Sequence, residues 1–339
     1  MLKKAISGAA ISLALASHSY AQAPKVAVDI APLHSLVAQV MDGVAEPELL
    51  IRPEVSPHEY HLRPSDAKAL SEADVVFWIG EGLTPWLEKP LSSLASSANK
   101  IEMMEVKGTT LYDFREGATF ESHHHHDEEH HHDEEHQDDN AHHQHDDDHQ
   151  DHKEEGHHAH EQQHGHHQGH DPHVWLDPKN AEVWVNVIAE TLAQTDSQNE
   201  QVYKDNARAT ISRLHQLSDD IEQQAKELNG IKFIVFHDAY QYFEQRFSLS
   251  ASGAISVSDA SMPSPARISE IRDTVKELGV TCVFTEPQYN PQMVNSVFEN
   301  STVKTIGTMD PLGANIAVGK GHYNAVLNAM IASLSQCQR

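Results

Sequence analysis

The first third of the chain alternates short apolar runs with stretches of helical periodicity. Apolar runs of roughly four to eight residues are typical of buried strands, and apolar residues at three- and four-residue steps are typical of amphipathic helices. The pattern predicts strands at 25–30, 47–51 and 75–79, a helix at 33–41 that ends before Gly43, and a helix at 66–73 capped by Ser65. This alternation predicts a mostly parallel sheet covered by helices.

Two long helical segments follow residue 171, and the alternation of strands and helices then resumes. The segments at 180–192 and 199–228 have helical spacing, and in the second the apolar side chains recur on one face. Beyond them the pattern predicts strands at 233–236, 280–285 and 303–307 and helices at 239–246 and 268–278, the last ended by Gly279. The predicted fold class is therefore α/β, with two lobes of mostly parallel sheets joined by a long backbone helix.

The first residues predict a secretory signal peptide. Lys3 and Lys4 precede a short apolar stretch at 5–16, and the small residues around Ala21 suit cleavage after that residue. The stretch is shorter than the roughly 20 apolar residues that a membrane-spanning helix needs. The first cysteine is Cys282, so no acyl anchor near the cleavage point is expected. We therefore expect an exported, periplasmic protein that is not itself anchored in a membrane.

The composition changes abruptly between residues 121 and 170. This tract holds 20 of the 28 histidines, many acidic residues and almost no apolar ones, which is too little apolar surface to offset the entropy of ordering it. We expect a disordered His/Asp/Glu-rich loop that binds metal cations weakly, the alternative being a solvated acidic linker. The predicted organisation is a signal peptide at 1–21, an N-terminal α/β lobe at 22–120, the loop at 121–170, a second metal-ligand loop with linking helices at 171–229, and a C-terminal α/β lobe at 230–339.

The net charge of −27 restricts the partners of the chain. Nucleic acid is bound by clustered Lys and Arg, so neither nucleic acid nor an anionic membrane surface is an expected partner, whereas cations are attracted. The two cysteines, Cys282 and Cys337, form a single pair, which in an oxidising compartment indicates a disulfide rather than two buried thiols. We expect the protein to be a monomer.

Three histidines outside the tract have contexts that suit metal ligands. His58 follows Pro57 in a loop after a predicted strand. His173 lies where the tract gives way to an apolar segment, and His237 directly follows the predicted strand at 233–236, at the end where open α/β sheets bind ligands. Zinc favours imidazole nitrogen and a tetrahedral shell of four ligands. Two histidines from the first lobe and one from the second predict a metal site between the lobes.

The other histidines outside the tract have a structural or surface role as their default. They are His34, His61, His215 and His322, of which the last two are expected to be exposed. Inside the tract, residues 160–164 match the metalloprotease pattern H-E-x-x-H. That match carries little weight, because histidine and glutamate dominate the composition there and no apolar face is available to dock a rigid helix.

Several longer motifs carry a family resemblance. They are Pro57-His58-Glu59-Tyr60, His173-Val174-Trp175-Leu176-Asp177-Pro178, Phe236-His237-Asp238-Ala239-Tyr240, Phe284-Thr285-Glu286-Pro287-Gln288 and Asp310-Pro311-Leu312-Gly313. Through these motifs nearly all of the mature chain outside the tract resembles the metal-binding components of bacterial ABC importers, and among them the ZnuA-like periplasmic zinc-binding proteins. The resemblance implies two α/β lobes, a backbone helix and one tightly bound Zn²⁺ in the cleft between the lobes.

The resemblance also implies which residues bind the ion and which protein receives it. His58, His173 and His237 match the three histidine ligands of the family, and Cys282 and Cys337 match a disulfide of close zinc-specific relatives. Manganese-binding relatives tend to have a carboxylate at the position of His237, and imidazole suits zinc better than manganese. The expected function is high-affinity zinc capture in the periplasm and delivery to the inner-membrane zinc permease of an ABC importer.

Two questions stay open on the sequence alone. Some relatives have a glutamate directly before the first ligand histidine, where this chain has Pro57, so the fourth ligand is water, Glu59 or Asp310, and we favour water. A periplasmic zinc buffer or metallochaperone, and more remotely a zinc hydrolase with an activated water, are the alternative functions. No general base is indicated outside the tract, so we expect a binding protein rather than an enzyme.

Overall fold

The computed structural model describes residues 23–115, 120, 169–256, 264–289, 294, 297–299, 301, 303 and 305–338. The predicted signal peptide and all of the predicted loop except residues 169 and 170 lie outside the described residues. The two sheets and their helices belong to one unit made of residues 1–120 and 169–339.

The N-terminal sheet has four parallel strands with helices between them. The strands are β1 (Val26–Val28), β2 (Glu48–Leu49), β3 (Val75–Trp78) and β4 (Asn99–Glu102), in the order β2-β1-β3-β4, and the helices are α1 (Ala31–Val40), α2 (Pro64–Glu72) and α3 (Glu88–Ser93). The central strands β1 and β3 are buried along their whole length. Continuous apolar runs are what a parallel sheet with covered faces requires.

The C-terminal sheet repeats the same topology. Its strands are β5 (Phe233–His237), β6 (Gly253–Ser256), β7 (Cys282–Thr285) and β8 (Thr305–Thr308), in the order β6-β5-β7-β8 and again parallel, with helices α6 (Gln241–Phe247) and α7 (Pro265–Leu278). α7 ends where Gly279 adopts a left-handed conformation with φ of 65°. The predicted α/β class with two lobes of parallel strands is confirmed.

Two long helices lie between the sheets in the chain. α4 (Pro178–Thr195) and α5 (Glu200–Glu227) pack against each other. The 28 residues of α5 span about 42 Å at 1.5 Å per residue. Its first half contacts the N-terminal lobe, where Asn206 Nδ2 donates to Val40 O at 3.0 Å, and its last turn leads into β5. α5 is therefore the predicted backbone helix; among the described helices none is long and apolar enough to cross a membrane.

The end of the chain ties the two lobes together a second time. α8 (His322–Ser335) packs against α1 and α5, and Ser35 Oγ in α1 donates to Lys320 O at 2.9 Å and accepts from Tyr323 N at 3.1 Å. The chain then reaches the C-terminal sheet, where Cys337 forms a disulfide with Cys282 of β7 at a Cα–Cα distance of 5.6 Å. The predicted disulfide is present.

The start of α2 differs from the prediction. Ser65 does not cap this helix, because the helix begins one residue earlier, at Pro64, and Arg63 is its N-cap. Asp66 Oδ2 accepts from Arg63 N at 2.9 Å, and Asp66 Oδ1 accepts from the Arg63 guanidinium at 2.8 Å. The carboxylate in the first turn therefore accepts from the backbone N–H of the N-cap residue, as the acidic residue of a capping box does.

Candidate metal centre

His58, His173 and His237 come together between the two lobes. One nitrogen of each lies within 4.8 Å of a nitrogen of the other two. His173 and His237 are 5% and 3% exposed, whereas His58 is half-buried. Within the described part of the chain, these three form the one group of His, Cys, Asp or Glu side chains that is close enough to share an ion.

The loop that carries His58 is held by the N-terminal lobe. Trp86 Nε1 donates to Pro57 O at 2.7 Å, directly before the histidine. On the other side, the hydroxyl of Tyr60 donates to Asp66 Oδ2 at 2.8 Å. These two bonds hold the loop on both sides of His58, one through its backbone and one through the Tyr60 side chain, so the imidazole is positioned by the loop rather than by a regular element.

The segment that carries His173 is held by residues of both lobes. Its backbone is fixed two residues earlier, where Asp171 N donates to Tyr112 O at 2.8 Å and the Tyr242 hydroxyl of α6 donates to Asp171 O at 2.8 Å. Arg115 forms an ion pair with Glu244 of α6 at 2.9 Å. The chain on both sides of the histidine-rich tract is therefore attached to α6, close to the metal centre.

A buried carboxylate holds each of the two buried imidazoles. His173 Nδ1 lies 2.7 Å from Asp171 Oδ1, and His237 Nδ1 lies 2.6 Å from Glu286 Oε1. A carboxylate accepts hydrogen bonds, so each Nδ1 carries the proton and each Nε2 keeps its lone pair. The two Nε2 atoms face each other at 3.2 Å. This pairing of carboxylate and imidazole is the arrangement that orients histidine ligands of metals.

The distance between these nitrogens fits a zinc shell. Tetrahedral zinc with Zn–N bonds of 2.0 to 2.1 Å places neighbouring ligand nitrogens about 3.3 to 3.4 Å apart. The observed 3.2 Å between His173 Nε2 and His237 Nε2 is close to this edge length. Two lone pairs directed at one point repel each other, and a cation between them removes that repulsion.

Burial changes the acidity of the two carboxyl groups. It raises the pKa of Asp171 to about 7 and raises the pKa of Glu286 above its ordinary value, although the hydrogen bonds from the histidines oppose the change. Burial disfavours the charged form of a carboxyl group, and a nearby cation favours it. A divalent ion held by the imidazoles would therefore compensate for the burial of both carboxylates.

Neither carboxylate that was a candidate fourth ligand joins the three histidines. Asp310 Oδ1 and Oδ2 accept from the backbone amides of residues 312–314 at 2.6 to 3.0 Å, and Oδ1 also accepts from Gln288 Nε2 at 3.0 Å. Asp310 thus organises its own loop. Glu59 is exposed, and it is not in the group of side chains within reach of one another.

The four other histidines outside the tract and the predicted signal peptide lie apart from this group. His61 is exposed, and His215 on the surface of α5 pairs with Glu182 at 3.1 Å. His34 is buried, with Nε2 2.9 Å from Pro47 O. The predicted exposure of His322 is wrong: the side chain is fully buried, and its Nε2 lies 2.7 Å from Leu312 O. The first turn of α8 faces the 310–314 loop rather than solvent, which the start of a helix does not reveal.

Two residues of the site were not predicted from the sequence. Asp171 precedes His173 by two residues, a spacing short enough for its carboxylate to reach both the amide and the ring. Glu286 follows β7 directly, and β7 pairs with β5, which ends at His237. The carboxyl ends of neighbouring parallel strands lie side by side, so an acidic residue after one strand was a usable signal for a partner to the histidine of the other.

Comparison with known proteins identifies the family of the chain. A family model described as "Zinc-uptake complex component A periplasmic" (ZnuA) matches residues 26–337. The "High-affinity zinc uptake system protein ZnuA" of Brucella abortus (strain 2308) is 44% identical over 312 residues, which cover 92% of this chain and 91% of that protein. The protein of the same description from Paracoccus denitrificans (strain Pd 1222) is 40% identical over 317 residues, covering 94% and 92%.

A solved structure has the same fold. The crystal structure of a ZnuA superposes with a TM-score of 0.71 at 23% identity and covers 94% of this chain and 100% of that chain. At this sequence identity the structural similarity is evidence for the fold alone. The match of the family model and the identity to the two relatives extend over nearly the whole chain, and the chain therefore belongs to the ZnuA family of periplasmic zinc-uptake components.

Proposed function

We propose that the protein captures one Zn²⁺ with high affinity in the periplasm, using His58, His173 and His237, and delivers it to the permease of an ABC-type zinc importer. The observation that carries the proposal is the pair of carboxylate-held imidazoles whose Nε2 atoms face each other at 3.2 Å. His58 supplies the third nitrogen, within 4.8 Å of both. Water completes the shell as the fourth ligand.

The charge and the preorganisation of the site support tight binding. The two buried carboxylates supply negative charge behind the imidazoles, and they fix the ring orientation before the ion arrives. Binding in the nanomolar range requires about 12 kcal/mol. Ligands that are already positioned lose little entropy on binding, so more of the interaction energy appears as affinity.

The chemistry of the site favours binding over catalysis. A zinc hydrolase needs a carboxylate that can accept a proton from the metal-bound water. Asp171 and Glu286 each accept from an imidazole, and Asp310 accepts from the amides of its own loop. The relatives are described as zinc-uptake proteins, which supports a carrier that hands its ion to a permease in the inner membrane.

The histidine-rich tract at 121–170 is proposed to collect further zinc weakly near the centre. The proposal rests on its composition, with 20 histidines and many acidic residues. The residues that flank the tract contact α6: Arg115 forms an ion pair with Glu244, and Asp171 O accepts from the Tyr242 hydroxyl. Deleting residues 122–168 should leave the tight site intact and remove only weak binding; loss of the tight site would contradict this division of roles.

Zinc titration calorimetry on the metal-free protein tests the proposal. The wild type is compared with a variant in which His58, His173 and His237 are all alanine, and with His61→Ala as the matched control, since His61 is exposed and three residues from His58. We expect one tight site in the wild type and in the control, and only weak binding in the triple variant. Tight binding of one zinc by the triple variant would show that the main site lies elsewhere.

A further inference from the structure

Gln288 lies in the wall of the same pocket as the three histidines. It follows Glu286 by two residues in the turn after β7, and the pocket is lined by His58, His173 and His237 together with Glu286 and Gln288. Unlike Glu286, it bonds to a backbone carbonyl and a carboxylate rather than to an imidazole. It is the one glutamine in the wall of this pocket.

The amide of Gln288 has a fixed orientation. Its Nε2 donates to two acceptors, Pro53 O at 2.9 Å and Asp310 Oδ1 at 3.0 Å. An amide nitrogen has two protons and no free lone pair, so two acceptors on one side identify that atom as nitrogen. The Oε1 atom must therefore point away from both acceptors.

That Oε1 atom is buried and has no hydrogen-bond partner within the described residues. A buried acceptor without a donor is costly, and such atoms are rare in native proteins. His173 and His237 each direct a lone pair, not a proton, to the side facing the ion, so neither of these imidazoles donates to Oε1. The donor that suits this acceptor is a water bound to the cation, because coordination to a metal makes the protons of water more acidic.

We propose that Gln288 Oε1 accepts a hydrogen bond from the water that completes the zinc shell, and that Gln288 is thus a positioning residue for the fourth ligand. The inference rests on the proposed zinc site. The Nε2 bond to Pro53 O spans the cleft to the loop of His58, so one side chain contacts the fourth ligand and the loop of a histidine ligand. An anion in place of the water has no proton to donate, and Oε1 then disfavours it.

The test uses cobalt as a spectroscopic substitute for zinc and azide as the competitor of the bound water. The full mature chain is loaded with Co²⁺ and titrated with azide, and the visible absorption is followed. In Gln288→Met the acceptor is gone, so azide should bind about tenfold more tightly than in the wild type, as expected for loss of one hydrogen bond to a charged group. Zinc affinity should fall about 10- to 100-fold.

A matched control separates this effect from loosening of the His58 loop. Trp86→Phe removes another bond that holds this loop, from Nε1 to Pro57 O, and leaves Gln288 in place. Its azide affinity should stay within about twofold of the wild type. Thermal melting checks that Gln288→Met folds, and Gln288→Leu repeats the test if it does not.

The outcomes are distinguishable from failure of the zinc site itself. Equal azide affinity in Gln288→Met and the wild type would overturn the role of Gln288, and so would an equal gain in Trp86→Phe. In both cases cobalt is still bound by the three histidines. If the triple histidine variant keeps the cobalt spectrum of the wild type, the ion is bound elsewhere, and the proposed function fails with it.

Discussion

Glu286→Gln should weaken zinc binding while leaving the metal-free protein at least as stable. The substitution keeps an oxygen that can accept from His237 Nδ1, now 2.6 Å from Glu286 Oε1, and removes one negative charge. Burial raises the pKa of Glu286, which shows that the ionised carboxyl is costly in the metal-free fold. The neutral amide does not carry that cost, so affinity and stability should move in opposite directions.

The magnitude follows from the geometry. The carboxylate oxygen lies 2.6 Å from Nδ1, and the ring and a zinc–nitrogen bond add about 4 Å, which places the charge about 6.5 Å from the ion. One negative charge and a divalent cation at this distance attract by about 5 kcal/mol at an effective dielectric constant of 20. Relaxation of the site reduces this upper value, and measured losses for such partners are about 10- to 100-fold in affinity.

Competition with a chromophoric zinc chelator measures the affinity, and chemical denaturation of the metal-free protein measures the stability. Glu182→Gln is the matched control, because Glu182 also pairs with a histidine, His215, at 3.1 Å, but on the surface and away from the centre. The control should bind zinc like the wild type. Wild-type affinity in Glu286→Gln would refute the reasoning that this carboxylate supports the ion through His237.

Further predictions concern the disulfide, a buried acid and the unequal burial of the ligands. Cys282→Ser opens a bridge between residues 55 apart and should lower the free energy of unfolding by about 4 kcal/mol, measured by denaturant titration with and without reductant. Burial raises the pKa of Asp29 to about 7. The protonated side chain therefore contributes its full stability below about pH 4, and this contribution is lost as the pH rises through 7. Across this range the unfolding free energy of the wild type should fall by at most about 4 kcal/mol relative to that of Asp29→Asn. His237→Ala leaves a buried carboxylate without its partner and should destabilise the metal-free protein by about 1 to 3 kcal/mol, whereas His58→Ala, at a half-buried position, should change its melting temperature little; equal losses in the two variants would contradict this difference.

The four central strands are predicted from the sequence because their environment is uniform. The central strands β1, β3, β5 and β7 are buried apolar runs, and each falls within a predicted segment or overlaps it closely. β4 was not predicted, because Asn99–Glu102 is polar and largely exposed at the edge of its sheet. β6 was not predicted either, because four residues that begin with glycine give too short a pattern.

In the metal centre, too, some residues can be predicted from the sequence and others cannot. The contexts of His58, His173 and His237 are local, since each follows a recognisable break between segments, and the sequence therefore selects them. Two of the contacts that hold the centre join residues distant in the chain: Glu286 is 49 residues from His237, and Gln288 is 235 residues from Pro53. Such pairs depend on which strands are neighbours, and that order is not visible in the hydrophobic pattern.

The two halves of the centre are therefore built by different means. The Asp171–His173 pair is nearly a local motif, whose geometry is set by a two-residue spacing and by the attachment of the backbone to α6. The Glu286–His237 pair exists because β5 and β7 are neighbours in a parallel sheet that presents both carboxyl ends at one edge. Both pairs direct the lone pair of an Nε2 atom to the same point, and the two Nε2 atoms are 3.2 Å apart. A change that moves either the β5–β7 edge or the His173 segment should therefore weaken zinc binding without altering a ligand.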